Sequence, residues 1–345
     1  MRIGSKEIGK KYPCLISLEP GATYSNFEDA KKMIQMAAVA GADAIKFQTF
    51  LPGDADRIMG EKSIEIEYGT ATGKKKELVY DALKRRELTK VQWKELVDYT
   101  KSQKLLFITA PYFTETVDFL QEIKVDAIKV SKGDVNNVIL IEKIAQTGLP
   151  IILDTREKLT EIDKDIQICK ENNNENIILM HCPSGYPAEN VGVHLNAIKF
   201  LKEKYSYPIG FADHSPGDIM NYAAVVLGAN ILEKTITLNK STEAVEHFMS
   251  LEPTELKTFV QNIRMLEEAA GNEKILEQSR VEESVRRSIV AKRDLEKGEI
   301  ITRDMLDFRR PGNVGISCED GFEVLGKKTK VNIDRNSFIK WDMIE

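Results

Sequence analysis

Eight short runs rich in Ile, Val and Leu recur through the first three quarters of the chain, and they limit its fold more than any other feature. The runs begin at Cys14, Asp43, Leu105, Ala127, Pro150, Ile177, Tyr207 and Ile231. Each is almost continuously apolar, which is typical of a strand buried on both faces of a parallel sheet. Helical patterns separate the runs, and eight strand-helix units in about 250 residues are what a closed (β/α)₈ barrel requires. We therefore predict the α/β class and a TIM barrel, because a doubly wound open sheet more often stops at about six strands.

Two of the predicted helices have recognisable beginnings. Thr89 is followed three residues later by Gln92, which is the spacing of a capping box. Ser215 precedes Pro216, and a cap residue followed by proline predicts a helix that begins there. The last helix of the barrel is predicted over residues 254–270.

One connection, residues 51–80, is too long and too polar for an ordinary barrel loop. Its segment EYGTATGKKKE is crowded with Gly, Lys, Glu and Thr. Two interpretations are open at this point: a disordered surface insertion, or a lid over the mouth of the barrel.

The chain of 345 residues is longer than one hydrophobic core usually supports, so a second, smaller domain is expected. We predict that the barrel spans residues 1–272 and that the highly charged residues 273–285 form a linker. From Ser288 onward short apolar stretches alternate with turn residues. Residues 286–345 are therefore predicted to form a small β-rich domain.

The composition excludes several classes of function. The net charge is −5 and no block of Lys and Arg stands out, so nucleic acid is not an expected partner. No apolar run approaches the roughly 18 residues that span a bilayer, so no membrane association is expected. The N-terminal residues lack a secretory signal pattern, which predicts a cytoplasmic protein. The four cysteines have no paired spacing, which argues against a disulfide framework or a zinc knuckle.

Polar side chains at the ends of the apolar runs are the candidate active-site residues, because catalytic groups of a TIM barrel lie at the C-terminal ends of its strands. Lys46, Lys129 and Lys234 stand inside three of these runs. A lysine is costly to bury without an anionic partner, so each could belong to a structural ion pair. Together with Lys132 and Arg156, they instead favour a basin that neutralises a phosphate or carboxylate of a substrate.

Two histidines are candidates for metal binding or acid-base chemistry. His214 follows Asp213 at the end of the seventh run, where it is either a functional group or a hydrogen-bonded structural histidine. His247 follows Glu246 after the last run, and a catalytic role and a solvated loop position are equally open for it.

Long motifs in a consistent order resemble the sialic acid synthase family, bacterial enzymes that condense phosphoenolpyruvate with an N-acylated hexose to give a nine-carbon ulosonic acid. The barrel part carries these motifs as GADAIKFQTF (41–50), KVSKGDVNN (129–137), MHCPSGYP (180–187), PIGFADHS (208–215) and LGANILEK (227–234). The C-terminal part carries RRSIVAKRDLEKGEIITRDML (286–306) and RRPGNVGIS (309–317), which resemble the small antifreeze-like (SAF) domain of these synthases. The resemblance therefore covers the chain almost end to end.

The resemblance implies a role for residues at the matching positions. Phosphoenolpyruvate binding is implied for Lys46, Thr109, Lys129, Lys132, Ser184 and Tyr186. Contact with the acceptor sugar is implied for Gln48, Asp134 and Arg310, the last supplied by the partner subunit of a domain-swapped homodimer. Catalytic positions are matched by Glu19, His214 and Glu246. A divalent metal, Mn²⁺ or Mg²⁺, is implied at His214, with His247 or Glu246 as a replacement ligand.

The chain departs from the family's motifs around the metal and the phosphate. Thr235 stands where the family usually has its second metal histidine, and Lys132 and Ala212 stand where it usually has serines. We expect the positive charge of Lys132 to bind the phosphate in place of the hydrogen bonds that the missing hydroxyl groups would have donated.

The expected reaction joins carbon 3 of phosphoenolpyruvate to the aldehyde of an open-chain N-acylhexosamine, either N-acetylmannosamine or a 2,4-diacetamido-trideoxyhexose. A metal on His214 would polarise the aldehyde, and Glu19 would place or deprotonate the water that attacks carbon 2. Two alternatives stay open: a related synthase that uses a phosphorylated aldose or works without metal, and a sugar-binding homologue without catalytic activity.

Overall fold

The computed structural model describes residues 1–155, 158–271, 282 and 284–345. The chain divides into two compact units, Met1–Gly271 and Asn272–Glu345. The predicted linker, residues 273–285, lies almost entirely outside the described residues, so its boundaries stay a prediction.

The first unit is a closed barrel of eight parallel strands, as predicted. The barrel strands are β3 (Leu15–Glu19), β4 (Ala44–Gln48), β7 (Leu106–Ala110), β8 (Ala127–Val130), β9 (Ile151–Asp154), β10 (Ile177–His181), β11 (Ile209–Asp213) and β12 (Ile231–Thr235). They follow one another around the barrel in chain order, and β12 closes it by pairing with β3. All eight predicted runs are therefore strands of one sheet. A short antiparallel pair, β1 (Arg2–Ile3) and β2 (Lys6–Glu7), precedes them.

Helices separate the barrel strands. Those of the first unit are α1 (Phe27–Ala40), α2 (Asp54–Ile58), α3 (Val79–Lys84), α4 (Lys90–Ser102), α5 (Thr114–Glu122), α6 (Val138–Ala145), α7 (Leu159–Glu171), α8 (Asn196–Lys204), α9 (Ile219–Val226) and α10 (Pro253–Ala270). The capping box predicted at Thr89 is present, and α10 matches its predicted range. The start predicted at Ser215 is wrong, because the Ser215 hydroxyl donates to the Asp213 carboxylate at 2.6 Å and the helix begins only at Ile219.

Successive side chains of each barrel strand point alternately toward the helices and into the barrel, and this alternation divides the hydrophobic core into two parts. In β4, Ile45 and Phe47 pack among the residues that lie between the strands and the helices, where Phe47 stacks on Phe107 with ring centroids 5.5 Å apart. Ala44 belongs instead to the apolar cluster inside the barrel, and Lys46 lies two residues further along the same face. The barrel interior is thus apolar near the strand starts and charged near the strand ends.

The insertion at residues 51–80 is ordered in the structure. It contains α2, an antiparallel hairpin of β5 (Glu65–Thr70) and β6 (Gly73–Leu78), and the start of α3. Backbone and side-chain hydrogen bonds attach it to loops that follow barrel strands: Gly69 N donates to Tyr186 O at 2.9 Å, and Val245 N donates to Glu77 Oε1 at 2.6 Å. These contacts favour the interpretation of the insertion as a cover at the mouth of the barrel.

The second unit is small and β-rich, as predicted. Strands β13 (Ser288–Ala291) and β14 (Leu306–Arg309) pair antiparallel, and a short helix, α11, covers Gly321–Val324. Buried Ile289, Ile333 and Ile339 belong to a core of this unit's own residues. In the parts of both units that the structure describes, no helix is long and apolar enough to cross a membrane.

Candidate active site

A cavity opens at the C-terminal ends of the barrel strands. Its volume is about 190 Å³. Of the residues predicted from the sequence it is lined by Glu19, Lys46, Gln48, Lys129, Lys132, Tyr186, His214 and Glu246. It is also lined by Arg86, Tyr112, Asp154 and Glu233, for which the sequence had given no specific role. The barrel topology therefore gathers most of the predicted site into one place.

Two buried lysines and two buried carboxyls form the most charged part of the cavity. Lys46 Nζ forms an ion pair with Glu19 and lies 3.4 Å from Glu233 Oε1, and Lys129 Nζ lies 2.5 Å from the same Glu233 atom. All four residues are at most 3% exposed. We call Glu19, Lys46, Lys129 and Glu233 the charged quartet. Charges this deeply buried persist only when they are paired, so each member depends on the others.

The quartet shifts the pKa of its members in opposite directions. Burial raises the pKa of Glu19 to about 8, and the charge of Glu233 adds to the rise while Lys46 opposes it. Burial alone would also raise the pKa of Glu233, but the charges of Lys129 and Lys46 outweigh it and hold this pKa below its ordinary value. A proton bound by these two carboxyls is therefore held by Glu19 rather than by Glu233.

Glu246 enters the cavity beside the loop that follows β3. Its carboxylate accepts a hydrogen bond from Ala22 N at 2.6 Å, and it is buried. Gly21 makes this approach feasible, because a Cβ at Gly21 would overlap the Glu246 carboxylate and the backbone there has a φ of +50°.

Gln48 is held by two donors on the wall formed in part by the insertion. Its Oε1 accepts from Arg86 Nη1 at 3.1 Å and from the Tyr112 hydroxyl at 3.1 Å. The sequence reasoning missed both partners. Tyr112 lies two residues after β7, so the strand-end rule could have found it, whereas Arg86 follows α3 and carried no signal beyond the Arg85–Arg86 pair after the insertion.

The predicted phosphate-binding residues Lys132 and Ser184 meet at the edge of the cavity. Lys132 Nζ donates to Ser184 Oγ at 3.0 Å. Tyr186 follows two residues later, and its ring centroid lies 5.0 Å from that of His214.

Other predicted residues do not line this cavity. Thr109 is buried with its hydroxyl 2.7 Å from that of Thr49, and Asp134 accepts a hydrogen bond from Asn137 at 3.1 Å. Arg310 is an exposed residue of the second unit.

Of the three strand lysines in the predicted basin, the cavity contains only two, and Arg156, also predicted for the basin, lies outside the described residues. Lys234 Nζ is fully buried, 2.7 Å from Asp213 Oδ2 and 2.5 Å from the Ser215 carbonyl oxygen. It therefore forms the structural ion pair that was its alternative interpretation.

The residues that the structure describes do not fit a resident divalent metal. They contain no group of three His, Cys, Asp or Glu side chains that could hold an ion. His247, predicted as a ligand, has its Nδ1 2.8 Å from the Thr237 hydroxyl and lies outside the cavity lining, and burial lowers its pKa to about 4. Thr235, next to His214 in the pairing of β11 and β12, has a buried hydroxyl that no described residue hydrogen-bonds. One imidazole beside one hydroxyl is a poor donor set for Mn²⁺ or Mg²⁺.

Comparisons with known proteins agree with this fold. Residues 33–275 match the NeuB family and residues 286–345 match the SAF domain. The chain is 35% identical over 334 residues to the N,N'-diacetyllegionaminic acid synthase of Campylobacter jejuni, covering 94% of this chain and 98% of that protein. It is 31% identical over 344 residues to the N-acetylneuraminate-9-phosphate synthase of Homo sapiens, covering 98% of this chain and 94% of that one.

A solved structure is similar as well. The N-acetylneuraminic acid (sialic acid) synthetase from Leptospira borgpetersenii, in complex with citrate, superposes with a TM-score of 0.71 at 30% identity, covering 80% of this chain and 91% of that one. The fold and the site thus define a TIM-barrel synthase, an enzyme of the transferase type, with a C-terminal SAF domain. The chain belongs to the NeuB family.

Proposed function

We propose that this enzyme condenses phosphoenolpyruvate with an N-acylated hexosamine, N-acetylmannosamine or a 2,4-diacetamido-trideoxyhexose, to give a nonulosonic acid and phosphate. Sialic, legionaminic or pseudaminic acid is the corresponding product. The observation that carries the proposal is the charged quartet, which presents two buried lysines to a cavity at the strand ends. The names of the similar synthases support the same class of reaction.

The lysines suit phosphoenolpyruvate because both of its ends are anionic. Lys46 and Lys129 line the cavity from β4 and β8, and Lys132 adds a third positive charge beside Ser184. A carboxylate and a phosphate held by ammonium groups in a water-poor site gain more from each contact than they would in solution. In this proposal Lys46 and Lys129 replace part of their ion pairing within the quartet with ion pairs to the anionic groups of the substrate.

The proposed reaction forms one carbon-carbon bond and exchanges the bond between carbon 2 and the phosphate oxygen for a bond between carbon 2 and the oxygen of water. Carbon 3 of phosphoenolpyruvate attacks the aldehyde carbon of the open-chain sugar, whose oxygen takes up a proton and becomes a hydroxyl. Carbon 2, now electron-poor, receives a water molecule that gives up a proton. The tetrahedral intermediate then collapses to the keto acid and releases phosphate. This chain's residues bind and orient both substrates and move the protons.

Glu19 is the residue proposed to handle the proton of the attacking water. It lines the cavity and is paired with Lys46, and its pKa of about 8 lies close to neutral pH. A carboxyl group with such a pKa can both accept and release a proton under working conditions.

A phosphate-release assay tests the proposal. The enzyme is mixed with phosphoenolpyruvate and with N-acetylmannosamine, its 6-phosphate, a 2,4-diacetamido-trideoxyhexose or arabinose 5-phosphate in turn. We expect phosphate release with an N-acyl sugar and none with arabinose 5-phosphate. Lys129→Met should abolish the release, while Lys94→Met, on the exposed face of α4, should not. Binding of phosphoenolpyruvate without release for any acceptor would support a sugar-binding homologue instead.

We further propose that Arg310 of one subunit completes the site of a second copy, as the resemblance to the synthase family implies. Arg310→Ala and Lys129→Met should then each be inactive alone. A mixture of the two variants, refolded or co-expressed, should regain up to roughly a quarter of the wild-type activity, because random pairing gives half of the dimers one intact site. A mixture as inactive as its components would contradict this arrangement.

A further inference from the structure

Arg86 is a buried cation on the cavity wall. It is 5% exposed, and no carboxylate of the described residues lies within ion-pair distance of it. Its guanidinium carbon lies 4.7 Å from the centroid of the Phe50 ring. A guanidinium group can be buried in this way when aromatic and carbonyl groups surround it, and it is then fixed in one orientation.

Three hydrogen bonds define that orientation. Nε donates to Ala82 O at 2.7 Å, and Nη1 donates to Gly21 O at 3.2 Å and to Gln48 Oε1 at 3.1 Å. No described residue accepts from Nη2. Arg86 thereby joins three separate segments: its own helix end, the loop after β3, and the end of β4.

The contact with Arg86 determines which way the Gln48 amide faces. A guanidinium group only donates hydrogen bonds, so the atom of Gln48 that meets it must be the oxygen. The Tyr112 hydroxyl occupies the second acceptor position of that oxygen. The Gln48 NH₂ group is therefore left to donate elsewhere, on a side chain that lines the cavity.

We propose that Arg86 is a positioning residue that fixes the Gln48 amide with its NH₂ group toward the acceptor sugar. The inference rests on the proposed condensation. With Gln48 Nε2 as its donor, this side of the cavity takes an oxygen of the acceptor, either a carbonyl of an N-acyl group or a hydroxyl. It rejects a sugar that presents a donor or an apolar group there.

The experiment is a double-mutant cycle on acceptor kinetics. Arg86→Met and Gln48→Ala are each expected to lower kcat/KM for the acceptor by roughly tenfold, the value of one hydrogen bond, with the KM for phosphoenolpyruvate unchanged. The double variant should be no worse than Gln48→Ala alone, because Arg86 acts through Gln48. Multiplicative losses would overturn the inference and leave the condensation standing. No phosphate release by the wild type with any acceptor would overturn both.

Gln48→Glu separates positioning from simple packing. The new carboxylate pairs with Arg86, so the melting temperature should stay equal to or rise above that of the wild type, while the lost NH₂ donor lowers kcat/KM for the acceptor by roughly tenfold. Tyr112→Phe is the matched variant, because it removes the other donor to the Gln48 oxygen. It should lower kcat/KM for the acceptor by less than Arg86→Met does, and it should have no effect in the Gln48→Ala background. A Gln48→Glu enzyme with wild-type acceptor kinetics would overturn the inference.

Discussion

Lys129 Nζ lies 2.5 Å from Glu233 Oε1, and this ion pair joins two opposite sides of the barrel. Lys129 belongs to β8 and Glu233 to β12, and four steps around the eight-stranded sheet separate these strands in either direction. Lys46, from β4 between them, reaches the same Glu233 carboxylate at 3.4 Å. Glu233 therefore compensates two lysines at once and links strands that share no backbone hydrogen bonds.

Removing the Glu233 charge should destabilise the fold. Glu233→Gln leaves Lys46 and Lys129 buried with Glu19 as their remaining quartet partner, and breaking a buried pair from one side typically costs about 3 kcal/mol or more. We expect urea unfolding to show a loss of about 3 kcal/mol in the free energy of unfolding. Phosphoenolpyruvate should raise the melting temperature of this variant more than that of the wild type, because its anionic groups replace the missing charge.

Glu95→Gln is the control for that measurement. Glu95 pairs with Lys31 at 3.0 Å on the surface, and such a pair contributes less than about 1 kcal/mol. A Glu233→Gln protein as stable as the Glu95→Gln protein would show that the lysines do not depend on Glu233.

The raised pKa of Glu19 predicts a pH dependence of stability. Between about pH 4.5, its ordinary pKa, and about pH 8, its pKa in the fold, the native protein holds a proton on Glu19 that the unfolded chain has released. The resulting stability is complete below pH 4.5 and is lost as the pH rises through 8. Glu19→Gln cannot ionise at this position. The free energy of unfolding of the wild type, measured in urea at pH 5, 7 and 9, should therefore fall relative to that of Glu19→Gln as the pH rises. A constant difference would contradict the prediction.

The same shift predicts a pH dependence of catalysis. Only ionised Glu19 can take a proton from water, so kcat/KM should rise from pH 6 and level off above about pH 8. Initial rates of phosphate release at limiting phosphoenolpyruvate measure this profile. A profile that is flat from pH 6 to 9 would exclude Glu19 as the group that titrates.

The sequence predicted the barrel because strands buried on both faces leave a strong signal, and it predicted Lys46 and Lys129 because strand ends meet at one rim. It treated Lys234 in the same way, although the pleat sends neighbouring residues to opposite faces. In β12, Glu233 faces the cavity and Lys234 faces Asp213 on the outside. The presence of polar residues at a strand end does not show which of them faces the barrel interior. The register of the strand determines this.

Arg86 was not predicted as a site residue from the sequence, for a different reason. It reaches Gln48 across 38 positions of sequence, from the end of α3, which follows an insertion whose course over the barrel has no strand or helix periodicity. Contacts of this kind depend on how a long connection folds back, which its composition does not determine.

Lys132 should contribute to phosphoenolpyruvate binding through its charge. Lys132→Ala is expected to raise the KM for phosphoenolpyruvate roughly fivefold, a modest effect because the side chain is exposed, and Lys132→Arg should retain most of the affinity. Added salt should raise the KM of the wild type more than that of Lys132→Ala, since salt screens exposed charges. Lys94→Ala, an exposed lysine of α4, serves as the control. An unchanged KM for Lys132→Ala would remove it from the site.

Restoring a histidine at position 235 should create metal affinity that the wild type lacks. Asp213 and Lys234 are paired neighbours that face outward, so the next residues, His214 and Thr235, both face the interior of the barrel. In Thr235→His two imidazoles can bind one ion, and we expect its affinity for Mn²⁺ to be roughly tenfold tighter or more, about 1.4 kcal/mol, as measured from the electron paramagnetic resonance of free Mn²⁺. Thr235→Ala should behave as the wild type does. If the wild type binds Mn²⁺ as tightly as Thr235→His, other donors complete the site without a second histidine, and the threonine is not what weakens it.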